Sequence, residues 1–125
     1  MTSFDLKFGC VNILQEDIAE VVINEGVELD HQMVDVYHTF LLKHLNPPFS
    51  LLVNKHYAYS YTFDAQKKLA TLPQINAIAV VVYNQKTYAA TDSVIDFPRE
   101  VDWKVQIFKE RQTALSWLQQ EQNQL

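Results

Sequence analysis

A single cysteine, Cys10, leaves this 125-residue chain without an internal disulfide, which suits a reducing compartment. Set between Gly9 and Val11, it reads as a small buried apolar group rather than a reactive thiol. Two glycines and four prolines are too few for a flexible linker, a collagen-like segment or a disordered tract, and no low-complexity stretch or internal repeat occurs. The N-terminus lacks the charged, apolar and small-residue succession of a secretory signal. The longest largely apolar run, Ile75 to Tyr83, falls far short of the ~20 residues that cross a bilayer. A cytoplasmic protein with no membrane span is expected. Basic residues are the minority, ten against fifteen acidic, and they are scattered. The resulting net charge of -5 repels phosphate backbones, so no nucleic-acid partner is expected.

Catalytic signatures are missing as well. Nucleophilic catalysis needs a Ser, Cys or Thr beside a base, with a sharp turn or helix N-terminus for the oxyanion. The chain has no G-x-S-x-G, P-loop, G-x-G-x-x-G or C-x-x-C. His56 and Ser60 would share one face of an extended segment, but as i and i+4 they stand ~13 Å apart. Glu16, Asp17, Glu20, Asp92 and Asp96 read as solvated surface. The expectation is a non-enzymatic protein without a cofactor. His31, Asp35 and His38 lie within an arc of about 60° on a helix, and two imidazoles with a carboxylate suit a divalent metal. That arc opposes the apolar stripe and faces water with no fourth ligand near in sequence, so no metal site is expected. His44, near the end of the same helix, suits a structural role at the negative end of the macrodipole.

What is present is 48% hydrophobic and 12% aromatic content in a length usual for one domain. Such a domain buries roughly two-thirds of its unfolded surface. Phe4 to Phe8 alternates, Gly9 interrupts, and Val11 to Leu14 and Ile18 to Ile23 resume strand character before an Asn24-Glu25-Gly26 turn. The spacing of Leu29, Met33, Val36, Tyr37, Phe40 and Leu41 predicts a helix over Leu29 to Leu45, with Asp30 in its first turn and Asn46-Pro47-Pro48 as its stop. Phe49 to Val53 is a strand, Asp64 caps a short helix, and Ile75 to Tyr83 is a central strand covered on both faces. Asn84 caps a helix carrying Tyr88, Ala89 and Ile95 that closes at Pro98. Trp103 to Phe108 is the last strand. A final helix from Glu110 to about Gln120 buries Ala114, Leu115, Trp117 and Leu118, and residues 119–125 form a frayed tail.

Between the strand at Phe49 and the helix at Asp64 lies His56-Tyr57-Ala58-Tyr59-Ser60-Tyr61-Thr62-Phe63. If extended, it gathers Tyr57, Tyr59, Tyr61 and Phe63 into one aromatic row. Such a row covers the protein's own core, a second copy of the chain, or a ligand, and the sequence leaves these alternatives open.

The element order, with Trp103-Lys104-Val105-Gln106-Ile107-Phe108 leading into Ala114-Leu115-Ser116-Trp117-Leu118, resembles the SpoIIAA-like group related to STAS and SEC14-type domains. Val53-Asn54-Lys55 followed by Tyr59-Ser60 is similar to the strand-to-loop segment of its small bacterial members. The resemblance implies one SpoIIAA-like α/β domain over 1–125, a mixed β-sheet flanked by helices and opening with an antiparallel hairpin. In the anti-sigma-factor antagonists of the group, a Ser in an Asp-Ser-Ser-Gly-like turn at the start of the second helix is phosphorylated. Here that turn is absent, and Ser60 or Thr62 takes the similar place, which makes Ser60 the candidate phosphosite. The expected function is protein-protein association, regulatory in kind, as a homodimer joined through Tyr57, Tyr59, Tyr61 and Phe63. The alternative is a carrier or sensor of a small apolar or lipid-like ligand held between the aromatic row and the helices.

Overall fold

The computed structural model describes residues 2–69, 71–96 and 104–125. The chain opens with β1 (Thr2–Asp5), β2 (Gly9–Gln15) and β3 (Ile18–Ile23), paired antiparallel in succession. A two-residue strand, β4 (Glu28–Leu29), leads into α1 (His31–His44), followed by β5 (Phe49–Asn54), β6 (Ser60–Tyr61) and α2 (Phe63–Lys68). Then come β7 (Ile75–Val81), α3 (Gln85–Ile95), β8 (Val105–Phe108) and α4 (Arg111–Asn123). The main sheet has the order β1-β2-β3-β5-β7-β8, with β3, β5, β7 and β8 parallel. It is the mixed, helix-flanked sheet with an opening hairpin that the sequence pattern implies. Each parallel step moves the same way across the sheet, so right-handed crossovers place α1, α2 and α3 on one face. Helix α4 packs on the other, against β5, β7 and β8.

The two-residue alternation of the strands divides the core accordingly. Val21, Leu51, Ile78 and Val80 face α1 to α3, whereas Ile18, Leu52, Ala79 and Val81 face Ala114 and Leu118 of α4. Gly9 does not interrupt a strand, as its sequence context suggests, but begins β2. A Cβ there would lie 2.5 Å from the Val22 carbonyl oxygen, so only glycine lets β3 approach so closely. The turn sits earlier, at Lys7, whose positive φ of 78° is held by its N–H donating to Asp5 Oδ1 at 2.7 Å.

Helix α1 begins one residue after Asp30, which is its N-cap rather than part of its first turn and accepts from the Met33 N–H at 2.8 Å. Its buried face comprises Val34, Tyr37, His38 and Leu41 and is turned by roughly a third of a revolution from the stripe expected at Met33, Val36 and Phe40. Val36 is 51% exposed. Phe40 packs sideways, 5.0 Å from the Phe4 ring on β1 and 4.3 Å from His44. Apolar residues therefore follow two contacts on α1, and their average direction points at neither.

The cap of α2 is Thr62, accepting from the Ala65 N–H at 3.1 Å, and Asp64 lies in the first turn. Asn84 caps α3 as expected, but the buried residue there is Thr91, and Tyr88 and Ala89 are exposed. The expected frayed tail is helix as far as Asn123. Gln122 is buried and bonded to Asp17 at 2.8 Å and to the Pro48 carbonyl at 3.0 Å. The expected Pro98 stop and the Trp103 start of the last strand lie outside the described residues.

Candidate functional site

The aromatic segment is shaped by what it pairs with. Strand β6 lies parallel to β4, Glu28 opposite Ser60 and Leu29 opposite Tyr61, and the Gly26 N–H donates to the Ala58 carbonyl at 2.8 Å. Only this short ladder is extended, so only Tyr59 and Tyr61 share a face. Tyr57 precedes it in a bend and is 44% exposed, while Phe63 starts α2 and is 64% exposed. The four-membered row is thus corrected to an inward pair and two outlying rings. Lys67 Nζ stands 5.3 Å from the Phe63 ring, and His56 meets Tyr57 edge-on at 4.8 Å.

Tyr59 and Tyr61 border a cavity of about 50 Å³ between the main sheet and α1 to α3. Its floor is Val21, Val53, Ile78 and Val80, and its roof includes Val34 and Tyr37 of α1, Leu69 after α2, and Thr91 and Val94 of α3. The lining is almost wholly aliphatic and aromatic, so the polar exceptions matter.

Lys55 is the first exception. Leu51, Val53 and Lys55 follow at i, i+2 and i+4, so the residue just past β5 continues the inward face, and its N–H is fixed on the Val81 carbonyl at 2.9 Å. Its ammonium sits 5.2 Å from the Tyr59 ring centre and 5.5 Å from that of Tyr61, cation-π distances. Burial lowers its pKa to about 8. The Tyr59 and Tyr61 hydroxyls are 3.1 Å apart. Burial, with help from Tyr61, holds the Tyr59 phenol well above its ordinary pKa, and Tyr37 is raised in the same way. Both therefore remain protonated donors at neutral pH. Thr91 is 2% exposed, and its Oγ1 has no hydrogen-bond partner among the described residues.

The helix-borne triad does not come together. His31 is exposed, Asp35 pairs with Lys68 at 2.6 Å, and His38 is buried instead of facing water. Burial, offset in part by Asp35, brings His38 down to about 4, and its Nε2 has no partner among the described residues. Ser60 is exposed on β6, with its N–H donating to the Val27 carbonyl at 2.9 Å. Cys10 is half-buried, and burial together with Glu20 and Asp5 raises its thiol pKa.

Across the sheet, Glu20 is no solvated carboxylate but 6% exposed. Arg111 of α4 holds it through two bonds, at 2.8 and 3.0 Å, and Asn54 and Asn12 add donors at 3.0 and 3.3 Å. Burial alone would raise its pKa, but the bonds and charge of Arg111, with Asn54 and Asn12, outweigh burial and hold it low. Sequence reading missed Lys55 and Thr91 and placed Glu20 on the solvated surface. For Lys55 a signal existed, since it extends the Leu51, Val53 alternation by one step.

Among the described residues no helix is long and apolar enough to cross a membrane. No family model matches the chain, and no curated protein matches its sequence. A solved structure does: an uncharacterized protein of the DUF3478 family from Shewanella loihica PV-4, described as having a SpoIIAA-like fold. The likeness covers 88% of this chain and 91% of that one with a TM-score of 0.57, at 17% sequence identity. At that identity it speaks for the fold alone: this chain has a SpoIIAA-like fold.

Proposed function

We propose that this protein is a non-enzymatic cytoplasmic carrier or sensor that holds a small apolar ligand in the cavity between the sheet and α1 to α3. The observation that carries the reading is the cavity's lining, a continuous aliphatic and aromatic wall interrupted by Lys55, the Tyr59–Tyr61 hydroxyl pair and Thr91. Binding sites for small molecules are built this way, from an apolar wall and a few polar groups that fix orientation. Native mass spectrometry of protein purified from its own cells tests the reading. The expected spectrum carries one small-molecule adduct per chain, and an adduct-free chain would count against it.

Association between copies is a second reading. Tyr57 and Phe63 favour it, since both remain exposed on the segment that sequence reasoning put at an interface. The same spectrum, with light scattering at tens of micromolar, reports it as a dimeric mass.

A further inference from the structure

We propose that the ligand of this cavity is a single-chain carboxylate, with the Lys55 ammonium as its counter-ion and the hydroxyls of Tyr59 and Tyr61 beside it. The inference rests on the cavity being a ligand site and adds the charge and number of its head group. Of the described residues that line the cavity, Lys55 alone carries charge at neutral pH. Its ammonium has three donors. No carboxylate of the described residues lies within ion-pair distance of it, and its nearest partners are two ring faces. A cation so placed meets the negative face of each ring but no hydrogen-bond acceptor of full strength.

Burial depresses the Lys55 pKa to about 8, a sign that the charged form lacks compensation in the free protein. A ligand anion supplies it. The two phenol hydroxyls, 3.1 Å apart, stand with Lys55 in the lining of the same cavity. Thr91 Oγ1, buried and unpartnered among the described residues, offers a further polar contact on the α3 wall. Among the described residues the lining offers one ammonium and no arginine fork, which matches a monoanion better than a phosphate dianion, since the latter draws bidentate or multiple cationic partners. The aliphatic remainder of the wall suits the apolar part of such a ligand.

Calorimetric titration of the full chain with octanoate, 1-octanol, octylammonium and octyl phosphate tests the proposal. Octanoate is expected to bind at least tenfold more tightly than 1-octanol, and octylammonium more weakly than either. Lys55→Met should bring octanoate down to the level of 1-octanol while changing 1-octanol affinity less than twofold, and Lys55→Arg should keep most of the preference. Equal binding of octanoate and 1-octanol to the unmodified protein overturns the charged head group but leaves the apolar site standing. Tighter binding of octyl phosphate than of octanoate overturns the carboxylate. Failure of every probe to bind overturns the site itself. Should Lys55→Met not fold, the four-probe series on the unmodified protein still separates these outcomes.

Discussion

The two faces of the main sheet treat buried polar groups in opposite ways. On the α4 face the buried polar residues Glu20, Ser50 and Gln122 meet partners. Arg111, Asn54 and Asn12 surround Glu20, while Gln122 joins Asp17, Asn76 and Ser50 into one network. On the α1 to α3 face, among the described residues, Lys55 has only ring faces around its ammonium, and Thr91 and His38 each leave a polar atom unpaired. Because an unsatisfied buried group costs more than a satisfied one returns, the first arrangement closes a core and the second leaves it incomplete. The cavity lies on the incomplete side.

Truncation should separate the faces most strongly. Leu118 is fully buried among Leu52, Ala79 and Val81, so Leu118→Ala is expected to cost about 4 kcal/mol. Leu29 borders the cavity, where one side of its side chain already meets empty space, and Leu29→Ala should cost about 2 kcal/mol. Equal costs in urea denaturation would erase the contrast. Arg111→Ala probes the closed face by orphaning Glu20. A buried pair broken in this way costs roughly 3 to 5 kcal/mol, and because the Arg111 side chain is 40% exposed, water reduces the expected loss to about 2 kcal/mol.

His38 should show the open face through pH. Its folded pKa of about 4 lies below the ordinary 6.5, so between those values the unfolded chain binds the proton and the folded chain does not. Stability is therefore full above pH 6.5 and falls as pH drops toward 4, by roughly 2 kcal/mol at pH 5. Glu20 acts in a lower window: its lowered pKa adds stability that is present above the ordinary carboxylate range and lost below it, so a comparison of pH 7.5 with pH 5 isolates the histidine. His38→Leu should flatten that difference in melts at the two pH values. The smallest effect is expected at Thr91. Thr91→Val removes a buried hydroxyl without a described partner at nearly constant shape and should raise stability by about 1 kcal/mol. A loss of that size instead would mean that the hydroxyl is satisfied.

Much of the fold was legible because it is written locally. Phe49 to Asn54 and Ile75 to Val81 form apolar runs that can only be covered strands, and Asn84 stands where α3 needs a cap. What was not legible depends on distant partners. Glu20 reads as surface until Arg111, 91 residues further on, is brought to it. Gln122 reads as part of a polar tail until Ser50, 72 residues earlier, reaches it. The aromatic row failed for a similar reason. Alternation put Tyr59 and Tyr61 on one face correctly, but the length of extended chain is set by β4, only two residues long, and by Thr62 starting a helix. His38 misled because the buried face of α1 is set by the sheet beneath it, and a histidine on that face has no signature of burial in sequence.

The most direct measurement is a methyl NMR titration of the full chain with 1-octanol, following valine and leucine signals on both sides of the sheet. A ligand site on one face predicts saturable shifts at Val21, Val53, Val80 and Leu69, which line the cavity, with Leu52, Val81 and Leu118 beneath α4 unmoved. Shifts of equal size on both faces, or shifts limited to exposed methyls such as Val36 and Leu42, would contradict the account.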